Sequence, residues 1–289
     1  MSETIDAADT TDRVKPWTIK GIPPEERNAA IAAAEREGLT IGEWLTRAIR
    51  TQVPADRQAD RVPAVVDEPV RPKGDRQADL AKQIVEFIGA FFLVLTIALT
   101  GNPIAIGFVL VALVYMGGYI SGGHYNPAVT LAALLTRKIE LVTALRYMLV
   151  QLLGGLVGAV VYNVVVGKYF HPVFGPDVTR GLAIFLETLF TFLLCSVVLH
   201  VAATDKTKGN DYYGLAIGLT VMAGAFAAGP ISGAAFNPAV AVGPVYFELL
   251  FGTPKLHAHV PHLITYVVGP FLGAAIAAGL YRITNVSKT

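Results

Sequence analysis

The sequence predicts an all-α membrane protein, with six spanning helices and two re-entrant half-helices in an inverted repeat, preceded by a small β-α-α module. Two observations carry this. The tripeptide Asn-Pro-Ala occurs twice, at Asn126-Pro127-Ala128 and Asn237-Pro238-Ala239, each behind an Ile-Ser-Gly and between long apolar stretches. The chain is also 53% hydrophobic and only 16% charged, with nearly all of the charge outside those stretches. That composition belongs to helices immersed in lipid.

Each tripeptide reads as a helix start, because asparagine is a strong N-cap and proline suits the first helical position. The apolar runs behind them, Val129 to Leu135 and Val240 to Tyr246, imply helices of about ten residues, roughly 15 Å or half a hydrocarbon core. Neither spans alone. Half-helices that begin inside the membrane present their positive N-termini to each other near the midplane. Non-helical backbone is tolerated there only around an enclosed polar path.

The duplication extends beyond the motifs. Ile120-Ser121-Gly122 and Ile231-Ser232-Gly233 repeat at 231 − 120 = 111, the same offset as 237 − 126. Glu86 and Glu187 each head an apolar stretch, and Tyr147 to Gly154 matches Tyr266 to Gly273 with tyrosine and glycine in register. Each copy carries three spans, near 82–100, 104–121 and 141–166, then near 180–203, 213–229 and 261–281. Three is odd, so the copies cross in opposite senses and the half-helices meet head to head. Gly154, Gly155 and Gly158, with Gly273, Ala274 and Ala277, have the spacing that lets helix backbones approach within one subunit.

These motifs, the paired glutamates and the run Ser-Gly-Gly-His-Tyr-Asn-Pro-Ala-Val-Thr-Leu from Ser121 to Leu131 resemble the major intrinsic protein family, the aquaporins and aquaglyceroporins. The resemblance covers residues 80–283 and implies the aquaporin fold, a passive channel rather than an enzyme, no cofactor or bound metal, and a homotetramer. In such a channel the Asn126 and Asn237 amides donate to the permeating oxygen, so a water in that position cannot relay a proton along the file. The facing dipole ends oppose cations. Carbonyls of Ser121 to Tyr125 and Ser232 to Phe236 serve as acceptors along the wall. The resemblance makes Glu86 and Glu187 supports for the re-entrant loops, and His124 a structural hydrogen-bonding residue in the first loop. A pH gate at His124 is the alternative use of a group that titrates near neutrality.

One departure from the family is informative. The arginine that usually follows the second motif is Val240 here, and the other selectivity positions implied by the resemblance are Ile106, Ala225 and Ala234. All four are apolar. The expectation is a wider, less polar filter than in a water-selective channel, passing glycerol, urea, ammonia or neutral metalloid hydroxides such as arsenite, and water with them. Ala241 stands where glycerol specialists carry aspartate, and Tyr266-Val267 resembles the nodulin-type and related bacterial channels.

Orientation follows from Lys and Arg. Arg71, Lys73, Arg76, Lys82, Arg137, Lys138, Arg146, Lys206, Lys208, Arg282 and Lys288 fall on the side of the termini, against Lys168, Arg180 and Lys255 opposite. Both termini are therefore expected in the cytoplasm, with the channel in the cell's plasma membrane and surrounded by its lipid. No apolar signal segment is visible in the first eighty residues. The single cysteine, Cys195, is placed mid-span as a packing residue. His257 and His259 alternate without a third ligand, a weak metal signal.

Residues 1–51 read as a separate cytoplasmic module, 52–79 as a disordered linker rich in proline and mixed charge, and 284–289 as a tail. In the module, Trp17 to Ile22 alternates like a strand, Pro24 to Glu37 forms a helix stopped by Gly38, and Thr40-Ile41-Gly42-Glu43 is a capping box opening a second helix. This order resembles the ribbon-helix-helix modules that dimerise by pairing strands. Residues 12–57 carry eight Lys or Arg and seven Asp or Glu, a poor footprint for nucleic acid. A dimerising cap is expected, with DNA binding through residues 17–50 the minority reading. A membrane-tethered regulator would need a basic module, and an active transporter would need titratable groups along its path. The count above supplies no basic module, and apart from the two scaffold glutamates, Glu86 and Glu187, no such group is assigned to the path.

Overall fold

The computed structural model describes residues 24–40, 43, 44, 47, 73–252 and 256–285, and the chain divides into two compact units, Met1–Val70 and Arg71–Thr289. In the first unit, helix α1 (Pro24–Arg36) ends where Gly38 takes φ +67°. Leu39 N–H then reaches back to Ala34 O at 3.0 Å and Gly38 N–H to Glu35 O at 3.1 Å, the double closure that a left-handed glycine permits. The capping box forms as its spacing predicts. Thr40 N–H and Thr40 Oγ1 donate to Glu43 Oε2 at 2.9 and 2.7 Å, and Glu43 N–H donates to Thr40 Oγ1 at 3.3 Å. Glu43, Trp44 and Arg47 are helical; the expected strand at Trp17 to Ile22 lies outside the described residues.

The second unit consists of α2 (Lys73–Thr100), α3 (Pro103–Ser121), α4 (Pro127–Leu135), α5 (Leu141–Val166), α6 (Arg180–Val201), α7 (Tyr213–Ser232), α8 (Pro238–Phe251) and α9 (Leu256–Thr284). No strand occurs among the described residues. Six of these helices are long and apolar enough to cross a membrane, and α4 and α8 are the shorter pair. This is the expected multi-pass all-α architecture. Two boundaries differ from expectation. Helix α2 begins at Lys73, so residues 73–79, read as the end of the linker, are helical. Apolar patterning marks where lipid begins, whereas a helix can continue into water with charged residues on it. The second half-helix has 14 residues instead of about ten and runs through Pro244 to Phe251. Pro244 removes one backbone donor, but the ring's fixed φ is helical and the buried Phe247 holds the following turn in place.

Packing repeats the internal symmetry. Helix α2 lies along α5 as α6 lies along α9, α3 crosses α7, and each half-helix is flanked by the last helix of the other copy, α4 by α9 and α8 by α5. Close approach is what the glycines provide. A Cβ on Gly154 would lie 2.5 Å from Phe87 O, and one on Gly273 would lie 2.5 Å from Thr188 O. The small-residue contacts thus fall inside the subunit.

Candidate functional site

The site is built where α4 and α8 start. Asn126 and Asn237 are both N-caps, their Oδ1 atoms accepting from Ala128 N at 2.8 Å and Ala239 N at 2.9 Å. Each amide then reaches across the duplication. Asn126 Nδ2 donates to Phe236 O at 2.9 Å, and Asn237 Nδ2 donates to Tyr125 O at 3.0 Å. An amide nitrogen carries two hydrogens, so one remains on each asparagine for a third partner. Pro127, Ala128, Pro238 and Ala239 are buried immediately behind the caps.

The loops before the caps follow one backbone course. Gly122 and Gly233 have φ +95° and +85°, Gly123 and Ala234 +63° and +48°, Tyr125 and Phe236 +51° and +50°. Non-glycine residues in this region carry roughly 1 kcal/mol of strain or more, so the loops need support from outside. Glu86 and Glu187 supply it, both wholly buried. Glu86 Oε1 accepts from Ser121 Oγ at 2.6 Å and His124 N at 3.0 Å, and its Oε2 accepts from Tyr125 N and Gln151 Nε2, both at 2.7 Å. Glu187 Oε1 accepts from Ser232 Oγ at 2.8 Å and Ala235 N at 3.1 Å, and its Oε2 accepts from Phe236 N at 2.7 Å. Neither carboxylate lines the cavity described below.

Sequence reasoning missed several supports. Tyr147 Oη donates to Ser121 O at 2.9 Å and Tyr266 Oη to Ser232 O at 2.6 Å. Their register in the repeat was the available signal. Gln151 and Thr130 join the first loop only: Gln151 Nε2 donates to Thr130 Oγ1 at 3.0 Å, and the second copy has Pro270 where Gln151 stands. His124 Nδ1 lies 3.1 Å from Thr130 Oγ1 with its ring edge-on to Tyr147, so its ring is part of the same scaffold.

A cavity of about 520 Å³ runs past these groups. Asn126 and Asn237 line it, as do His124, Gly123, and the loop residues Gly233 to Phe236. Ile106, Ala225, Ala234 and Val240 line the same cavity, together with Leu93, Leu194 and Ile217. The structure therefore brings together the two asparagines and the four apolar positions singled out from the sequence, and sets the two glutamates behind them. Such a passage offers a polar midpoint flanked by apolar wall.

Comparison with known proteins agrees with this fold. The family model of the major intrinsic proteins matches residues 77–281. Nodulin-26 of Glycine max is 32% identical over 224 residues, covering 71% of this chain and 78% of the relative. Glycerol uptake facilitator protein-like 6 of Lactiplantibacillus plantarum is 34% identical over 225 residues, covering 71% and 98%. Among solved structures, the aquaglyceroporin from Plasmodium falciparum superposes with a TM-score of 0.62 at 20% identity, over 70% of this chain and 95% of that one. That likeness concerns the fold.

Proposed function

The chain belongs to the major intrinsic protein family, and we propose that within it this protein is a passive channel for uncharged solutes somewhat larger than water. Glycerol, urea, ammonia and neutral metalloid hydroxides such as arsenite are the solute class, with water passing alongside. The observation that carries this is that Ile106, Ala225, Ala234 and Val240 all line the cavity that the two asparagines line. Without an arginine there, the constriction has neither the bulk nor the fixed donors that exclude larger neutral molecules. An apolar ring still costs a bare ion its hydration, so charge is rejected. The name of one similar protein, a glycerol uptake facilitator-like protein, supports the solute class. A water-selective channel is the competing reading.

Replacing Val240 by Arg tests it. Uptake of glycerol and urea into proteoliposomes should fall several-fold while water flux falls less or rises. An equal loss of every solute in a folded variant counts against the filter assignment.

Both termini in the cytoplasm, a place in the plasma membrane and assembly as a tetramer with one pore per subunit complete the proposal. The Lys and Arg distribution supports the orientation. Assembly is supported by large apolar side chains on outward faces of the single chain, such as Phe108 and Phe185. Residues 1–51 are proposed as a dimerising cap in preference to a DNA-binding module.

A further inference from the structure

The first half-helix is closed at its far end by a residue of the other copy. A helix leaves its last four carbonyls without internal partners, and in α4 these belong to Ala132, Ala133, Leu134 and Leu135. Three are met by the turn that follows. Thr136 N donates to Ala132 O at 3.1 Å, Lys138 N to Ala133 O at 2.8 Å and Arg137 N to Leu134 O at 3.0 Å. That turn holds Arg137 at φ +59°, a strained conformation for a residue other than glycine. The fourth carbonyl, Leu135 O, accepts from the Arg282 guanidinium on the last turn of α9. Beside it, Lys138 Nζ lies 5.8 Å from the centre of the Tyr281 ring, within reach of a cation–π contact. The end of α9 is itself anchored, because Asn285 Nδ2 donates to Tyr281 Oη at 2.6 Å and Thr204 Oγ1 donates to Asn285 Oδ1 at 3.1 Å.

We propose that Arg282 is a positioning residue of the passage, holding α4 along its axis so that the Asn126 amide stays at the midpoint. With nine residues, α4 is a rod of about 14 Å, so a displacement of its carbonyl end is carried to Asn126 at the other. Both ties that fix this rod lengthwise come from the second copy: Phe236 O at the front, accepting from Asn126 Nδ2, and Arg282 at the back. A guanidinium suits the back better than a neutral donor, since the helix dipole is negative there and charge-assisted bonds are stronger. The other half-helix is finished differently, with Phe251 O accepting from Tyr169 Oη at 2.6 Å. By the 119 offset between Tyr147 and Tyr266, the counterpart of Arg282 is Asn163, whose amide donates to Lys168 O at 3.1 Å. The duplication alone therefore does not supply this clamp.

This rests on the channel reading above, and the test separates the two. Full-length protein in proteoliposomes is assayed for glycerol flux by stopped flow, normalised to the amount of folded channel, as wild type and as Arg282→Met, Arg282→Gln and Arg282→Lys. Size-exclusion profiles and thermal unfolding establish that amount. A role in stability alone would lower the yield of folded channel and leave flux per channel unchanged. Arg282→Met, which keeps the stem and loses the donors, should lower flux per channel about fivefold, the order expected for one misaligned hydrogen bond at the midpoint. Arg282→Lys, a charged donor, should keep most of it. Arg282→Gln should fall between them, and it carries the same comparison where Arg282→Met does not insert. Asn126→Ser keeps an N-cap but lacks the amide, so adding Arg282→Met to it should cost much less than Arg282→Met does in wild type. Unchanged flux per channel in Arg282→Met and Arg282→Gln, or full additivity with Asn126→Ser, overturns the assignment and leaves the channel reading intact. Wild-type protein that conducts neither glycerol nor water overturns the channel reading itself, and this inference with it.

Discussion

At the level of single residues, the middle of the passage is a matter of where hydrogens point. Asn126 and Asn237 each satisfy a helix end with the oxygen and bind the opposite loop with the nitrogen. Replacing either by aspartate places a carboxylate between two helix N-termini and removes the cross-loop donor. A barrier to cations becomes an attraction. Cation current should appear in voltage-clamped membranes carrying a correctly inserted variant, and its absence would show that these residues do not face the permeating species. The glutamates behind them act on stability. Glu86→Ala strands Ser121, His124 N, Tyr125 N and Gln151, and leaving buried donors unmatched costs about 3 kcal/mol or more. Glu86→Gln retains one acceptor oxygen and should lose less. Thermal unfolding in detergent orders the three proteins, and equal midpoints would contradict the role given to Glu86. Tyr147→Phe removes a single bond and should cost only about 1 kcal/mol.

Among the elements, close backbone packing explains why the repeat survives as structure. A leucine at Gly154 has no room against Phe87 O, 2.5 Å from the site of a Cβ, and a leucine at Gly273 meets the same wall in the other copy. Each substitution should cost several kcal/mol through overpacking, seen as loss of folded protein after extraction, whereas Gly181→Ala, with open space around it, should be harmless. Much of this level is legible from the chain, because caps, small-residue spacing and apolar length are local signals. The half-helix starts and the capping box at Thr40 and Glu43 are of that kind. Long-range partnerships are not. Nothing near Asn126 announces Phe236, 110 residues away, and nothing near His171 announces Glu248, 77 residues away. The second half-helix also outran its apolar stretch for this reason: the charge that ends the run at Glu248 is bound by His171. The Thr40 bonds to Glu43, side chain first and then backbone, hold the Glu43 carboxyl below its ordinary range. With the folded value depressed, the cap's contribution is present above the ordinary carboxylate range and lost as pH falls through the lowered value. Protection of the Glu43 and Trp44 amides, taken as the exchange rate relative to the intrinsic rate at each pH, should fall on acidification in wild type and should be low throughout in Thr40→Ala.

For the whole molecule, the labour is divided between the two units on the proposed reading. Every residue on the cavity wall lies between Leu93 and Val240, within the unit Arg71–Thr289, and the family match begins only at residue 77. None of the described residues of the first unit lies on that wall, and residues 1–70 carry nine Lys or Arg against thirteen Asp or Glu, a poor footprint for nucleic acid; on the proposed reading the unit serves dimerisation. On the proposed reading, the strand expected at Trp17 to Ile22 would need a partner strand to be stable, and the proposed tetramer would supply four copies, enough for two pairs. Removing residues 1–70 should therefore leave glycerol flux per channel within about twofold of wild type, since the loop supports and the caps are untouched. The same truncation should lower the temperature at which the assembly dissociates in detergent, because one set of intersubunit contacts is gone. The truncated end is chosen so that α2 keeps its first turn at Lys73. Flux and assembly are measured on the same preparation. A truncated protein that remains tetrameric but no longer conducts would show that the first unit acts on the pore, and the separation of roles would be wrong. A truncated protein that conducts and dissociates no more readily than wild type would deny the cap its part in assembly and return DNA binding through residues 17–50 to consideration.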